Sequence, residues 1–114
     1  MHELSIMESV LNMVEESIKQ SNISKVNKIK LVIGKLSMVL PDSLQFCFQS
    51  LSHDELFKDA ILEIEQKGII VRCTKCEQQF VPIDFCCYIC PECGAKEMEI
   101  IQGRELYLDY YEGE

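Results

Sequence analysis

Two short cysteine pairs constrain this chain more than any other feature. Cys73-Thr-Lys-Cys76 and Cys90-Pro-Glu-Cys93-Gly are separated by thirteen residues in a chain of 114. A CxxC turn aims two thiolates at one point. Two such turns facing each other supply a tetrahedral set at about 2.3 Å from a metal ion. Gly94 permits the backbone conformation that the turn requires, and Pro91 stiffens it. An insert of roughly thirty residues is too small for an apolar core of its own, so a metal must supply its folding energy, about 10–16 kcal/mol in zinc-finger peptides. With four cysteines and no histidine nearby, the site is closed to water. That favours structural zinc over a catalytic ion. Iron held as in a rubredoxin is the rival metal, disfavoured by the sparse aromatic residues of the insert. Disulfide pairing is the remaining reading.

The cysteine count opposes disulfides. There are seven, an odd number, and six fall between positions 73 and 93. The first twenty residues carry Glu3, Glu8, Glu15 and Glu16 without an early basic cluster, so they do not read as an export signal. In a reducing cytoplasm such a cluster is a metal site, and cytoplasmic is the expected location. Cys86 and Cys87 lie in the tip between the knuckles. They offer alternative ligands to Cys90, but the CxxC spacing favours Cys90 and Cys93 and leaves that pair as spare thiols. Cys47 reads as a small apolar core residue.

The formal charge is −8, from 19 acidic and 11 basic residues. Phosphate backbones need clustered Lys and Arg, so nucleic acid is not an expected partner. No apolar run approaches the ~18 residues needed to span a bilayer. The charge fits partners that are proteins or cations.

Residues 5–20 predict an amphipathic helix: Met7, Val10, Leu11, Val14 and Ile18 share a face, and Ser5 with Glu8 suggests a capping box. Residues 27–34 predict a strand with Ile29, Leu31 and Ile33 on one face and Lys28 and Lys30 on the other. Residues 35–40 continue as extended chain or turn, and Pro41 then opens a second helix with Leu44, Cys47, Phe48 and Leu51 as its stripe. Residues 61–67 alternate as a strand, 69–72 lead into the cysteines, and 98–102 and 104–111 are strands separated by Gly103. In the last strand Leu106, Leu108 and Tyr110 alternate against Tyr107, Asp109 and Tyr111. The strands before and after the cysteines are expected in one sheet or its extension. The fold class is therefore α+β: a small mixed sheet with two helices plus an inserted zinc-ribbon module. The expected division is 1–68 with 103–114 as one domain and 69–102 as the other.

The chain opens Met1-His2-Glu3-Leu4. A free α-amine on Met1, the His2 amide nitrogen and the His2 ring Nδ1 can close five- and six-membered chelate rings around one cation. The Glu3 amide nitrogen or carboxylate offers a fourth position. A nitrogen-rich tetragonal set suits Ni(II) or Cu(II). Taken alone, a histidine in second position is more often an ordinary surface residue. His53 has no assigned role.

Together these features resemble a known family. Met1-His2-Glu3-Leu4-Ser5, the Gly34-Lys35-Leu36-Ser37 segment running to Pro41 and Phe46, the paired knuckles and the closing Gly103-Arg104-Glu105-Leu106 are similar, in order and along the whole chain, to HypA/HybF. These are the nickel metallochaperones of [NiFe]-hydrogenase maturation. The resemblance implies an α+β nickel domain with an inserted zinc ribbon. It implies nickel held by the Met1 amine, His2 and the Glu3 main chain, and structural zinc held by Cys73, Cys76, Cys90 and Cys93. It also implies delivery of nickel, with a HypB-type GTPase, to the hydrogenase large-subunit precursor, and in some bacteria service to urease. The chain departs from the family at Lys35, where an acidic residue is common. It departs again at Glu77 and Gly94, where some members place a histidine after each CxxC. The expectation is a carrier and not an enzyme, since no nucleophile–base constellation is visible. The competing reading is a zinc-ribbon protein-interaction module without nickel function.

Overall fold

A computed structural model of the protein describes residues 3–82 and 89–114. Helix α1 spans Glu3–Ile18 and buries Ile6, Met7, Val10, Leu11, Val14 and Ile18. It begins two residues earlier than its pattern suggests. Ser5 therefore lies inside the first turn instead of capping it, and the expected capping box is not formed there. Glu3 occupies the first turn instead, where the unpaired N–H groups of a helix start favour a carboxylate.

Strand β1 (Val26–Gly34) leads through a single 3-10 turn, Lys35–Ser37, to helix α2 (Pro41–Leu51). Pro41 opens α2 in its first turn as expected; Leu44 and Phe48 are buried, with Cys47 and Leu51 half-buried against the same core. Strand β2 is Ile61–Lys67 and strand β6 is Leu106–Gly113. These form a sheet in the order β2-β1-β6, with β2 parallel and β6 antiparallel to β1. Ile29, Leu31 and Ile33 join the side chains of both helices in one cluster. On the opposite face Lys28 meets Glu63 at 2.8 Å and Lys30 meets Glu65 at 3.3 Å.

The last strand corrects the simple alternation. Lys30 pairs with Tyr110 but Leu31 pairs with Leu108, so Asp109 is an extra residue. A bulge of one residue exchanges the faces beyond it. Leu108 and Tyr111 therefore both pack toward the core. Tyr110 turns to the outer face, with Lys28 and Lys30 at 5.5 and 5.8 Å from its ring centroid. The Tyr111 and Ser17 hydroxyls hydrogen-bond at 2.6 Å, tying β6 to α1.

Strands β3 (Ile70–Cys73), β4 (Gln79–Phe80) and β5 (Met98–Gln102) make a second, antiparallel sheet in the order β4-β3-β5. The single-sheet expectation is thus corrected. β2 and β6 do share a sheet, on either side of β1, but β5 pairs with β3 and not with the first sheet. The chain changes sheet at Gly68 and Gly103. Gly34 donates its N–H to the Glu105 carbonyl at 2.8 Å, and Leu36 donates to the Gly103 carbonyl at 2.7 Å. A Cβ on Gly34 would clash with the Gly103 backbone. The glycine-led segments Gly34–Ser37 and Gly103–Leu106, distant in sequence, are one crossing in space.

Candidate metal centre

Cys73 ends β3, so the sheet delivers the first knuckle directly. The two knuckles have matching backbones. Glu77 N–H donates to the Cys73 carbonyl and Gly94 N–H to the Cys90 carbonyl, each at 2.9 Å; Cys73 N–H donates to Gln78 O and Cys90 N–H to Ala95 O, also at 2.9 Å. Each turn closes with a left-handed residue just after its second cysteine: φ is +65° at Glu77 and +74° at Gly94. Gly94 adopts this at no steric cost. Glu77 does so against its Cβ, at about 1–2 kcal/mol. Composition hides this strain, because only the glycine advertises the turn.

The four Sγ atoms of Cys73, Cys76, Cys90 and Cys93 all lie within 4.8 Å of one another. Cys73 to Cys93 is 3.5 Å and Cys76 to Cys90 is 3.4 Å. A tetrahedron of sulfurs at about 2.3 Å from a central ion has edges of about 3.8 Å, so the set fits zinc. The separations are far above the ~2.05 Å of a disulfide, and these cysteines are free. The first cysteine of each knuckle is buried and the second is exposed.

Backbone donors prepare the sulfurs for charge. The Cys76 N–H, then that of Lys75, lowers the Cys73 thiol to about 6, against burial. At Cys90 burial is the largest influence and opposes ionisation, yet the N–H groups of Cys93 and Glu92 and the Cys76 thiol carry the pKa below its ordinary value. At Cys76 the Gln78 N–H favours the thiolate, but the Cys90 sulfur, burial and the other two sulfurs push it up to about 12. Cys93 is also raised: the Ala95 N–H works against the Cys73 sulfur, burial and Cys90. Four thiolates this close cannot all ionise by themselves. A doubly charged cation removes the conflict.

The amino-terminal expectations fall partly outside the described residues, which exclude Met1 and His2. Glu3, half-buried in the first turn of α1, lines an open groove with Leu4 and with Asp42, Ser43, Phe46 and Cys47 of α2. Asp42, in the first turn of α2, is a carboxylate that sequence reasoning missed; nothing local ties position 42 to position 3. Cys86 and Cys87 also lie outside the described residues. His53 is exposed beyond α2.

The fold and the four-thiolate cluster define a small α+β metal-binding protein with a zinc-ribbon centre. Residues 1–113 match the family model described as hydrogenase/urease nickel incorporation, metallochaperone, hypA. The chain is 41% identical over 114 residues to the hydrogenase maturation factor HypA of Moorella thermoacetica, covering all of both chains. It is 34% identical over 118 residues to that of Lawsonia intracellularis, again with complete coverage. Among solved structures, the solution structure of the Ni metallochaperone HypA from Helicobacter pylori matches with TM-score 0.66 and 28% identity, covering 99% of this chain and 97% of that one. A second solution structure of HypA protein matches with TM-score 0.73 and 29% identity over 99% and 96%. The chain belongs to the HypA family of nickel metallochaperones.

Proposed function

We propose that this chain carries Ni(II) on its amino terminus and delivers it, with a HypB-type GTPase, to the hydrogenase large-subunit precursor. The Met1 amine, His2 and Glu3 are the nickel-binding residues in this reading. The observation that carries it is the placement of Glu3. It stands at the start of α1 and lines, with Asp42 and Ser43 of α2, an open groove, so a chelate that includes Glu3 would have a second carboxylate beside it. A chelate at a chain end exchanges ligands readily, which a carrier requires. Among the described residues, no helix is long and apolar enough to cross a membrane.

In the same reading, Cys73, Cys76, Cys90 and Cys93 hold structural zinc. The ion supplies cross-linking and charge neutralisation and no open coordination position. The molecule divides into a nickel-binding domain, 1–68 with 103–114, and a zinc domain, 69–102. The separate strand pairing of β3, β4 and β5 supports that division.

The test is a titration of zinc-loaded, tag-free protein with Ni(II), comparing wild type with His2→Ala. The expected outcome is one zinc per chain in both and one nickel site lost in the variant. Nickel affinity should fall as pH falls, because the amine and the imidazole must release protons to bind. Equal nickel binding by both proteins would move the site elsewhere. No specific nickel binding by either would leave a zinc-ribbon interaction module.

A further inference from the structure

Thr74 sits inside the first knuckle, between Cys73 and Cys76, and it reaches across to the second. Its backbone N–H and its Oγ1 hydroxyl both donate to the Glu97 carbonyl, each at 3.1 Å. A carbonyl oxygen has two lone pairs and can accept both. Glu97 lies four residues beyond Cys93, on the segment that leaves the second knuckle. β3 and β5 stop one residue short of this contact, with Cys73 paired to Met98. The Thr74 bonds therefore carry the ladder one step past the sheet and into the sulfur cluster. Among the described residues, and apart from the sulfur contacts, they are the hydrogen bonds that join the turn of one knuckle to the exit of the other.

The second knuckle has no counterpart. Its equivalent residue is Pro91, which has neither a hydroxyl nor an N–H to give. The β-branched side chain of Thr74 is stiff at χ1, so its hydroxyl loses little freedom on bonding. The turn that it anchors also carries the Lys75 and Cys76 N–H groups that donate to the Cys73 sulfur. Cys73 in turn lies 3.5 Å from Cys93, the last cysteine before the exit segment. Thiolates at such distances repel one another, so the knuckles need a tie that opposes their separation.

We propose that Thr74 is a positioning residue of the zinc centre: by tying the first knuckle to the exit of the second, its hydroxyl holds the four sulfurs at the spacing the ion requires. This role rests on the reading of Cys73, Cys76, Cys90 and Cys93 as zinc ligands, and it is independent of where nickel binds. Thr74 acts through Cys73 and Cys93 and not as a ligand. Losing the hydroxyl therefore changes how tightly zinc is held and leaves the thiolate set as it was.

The experiment uses the full chain as wild type, Thr74→Val and Thr74→Ser, with helix content verified by circular dichroism. Valine keeps the shape and the backbone N–H but removes the hydroxyl; serine keeps the hydroxyl. Zinc affinity is read by chelator competition, and the thiolate set by the visible absorption of the Co(II)-substituted proteins. The hydroxyl bond is exposed, so the expected loss in Thr74→Val is about threefold to tenfold in zinc affinity. Thr74→Ser is expected to stay within about twofold of wild type, and the three Co(II) spectra are expected to coincide. Wild-type affinity in Thr74→Val would overturn the role of the hydroxyl. A serine variant as weak as the valine one would assign the effect to the branched side chain and overturn it too. A Co(II) spectrum altered in Thr74→Val would show a changed ligand set and overturn positioning as the cause. Failure of the wild type itself to bind zinc would overturn the zinc reading and this role with it.

Discussion

On the helix side of the first sheet, fifteen apolar side chains from Ile6 to Leu62 are buried in one cluster. Around the second sheet, among the described residues, the buried set is Ile69, Val71, Cys73 and Cys90. The first region has ordinary means of stability, since each fully buried Leu, Ile or Val contributes about 1.5–3 kcal/mol. The second does not, and two of its four buried residues are candidate metal ligands. It has backbone turns that organise four sulfurs, and zinc bound there would couple metal binding to folding. The region whose four sulfurs fit zinc is the one short of a core, while the region proposed to carry exchangeable nickel has a core of its own.

The sharpest way to break this contrast is to remove zinc. Chelation, or Cys73→Ser, is expected to abolish zinc stoichiometry and collapse amide dispersion in the cysteine region, while the helical circular dichroism of α1 and α2 persists. Loss of both signals together would mean that one cooperative unit spans the molecule. The converse experiment is Leu44→Ala, which opens a cavity in the helix–sheet core. It is expected to cost about 2–5 kcal/mol in denaturant unfolding of the helices, with zinc content unchanged.

A finer contrast lies between the two knuckles. Glu77→Gly relieves a left-handed non-glycine residue, at most about 1 kcal/mol after the entropy glycine adds to the unfolded chain. It should tighten zinc severalfold in a chelator competition. Gly94→Ala imposes the same strain on the other turn and should weaken zinc by about tenfold, from 1–2 kcal/mol. Equal, opposite changes would show that the two turns share one energetics.

The smallest effect is expected from the outer face of the first sheet. Glu63 is held below the usual carboxylate range, first by its hydrogen bond from Lys28 and also by the charge of Lys30, with burial opposing. Its contribution is present above the ordinary carboxylate pKa and is lost as pH falls through the lowered value. The pair is solvent-exposed, so Glu63→Gln should lower Tm only slightly, and the difference should shrink in high salt and vanish in acid.

Much of this was legible because the signals are local. The CxxC spacing is itself the geometry of a knuckle, so all four candidate zinc ligands could be named from the chain. The apolar residues of α1 and α2 recur at the helical period, and Pro41 marks where α2 begins. The bulge at Asp109 was not legible. The alternation from Leu106 to Tyr111 reads without a break, and only pairing against Lys30 and Leu31 shows the extra residue. Glu77 gave no sign of its left-handed backbone, because glutamate ordinarily avoids it. That state closes the turn on Cys73, whose carbonyl accepts the Glu77 N–H.

Legible along the chain, then, is what lies within one turn or one strand: the knuckles, the helix faces and the buried side of β1, together with the acidic net charge. Packing in three dimensions sets what joins distant segments. It separated β5 from the first sheet, crossed Gly34 over Gly103, brought Asp42 and Glu3 to one groove and left β6 at the edge of the sheet. The physical reason is range. Periodicity and turn chemistry act over a few residues, whereas strand partners and groove walls are chosen by packing between segments that no local pattern connects.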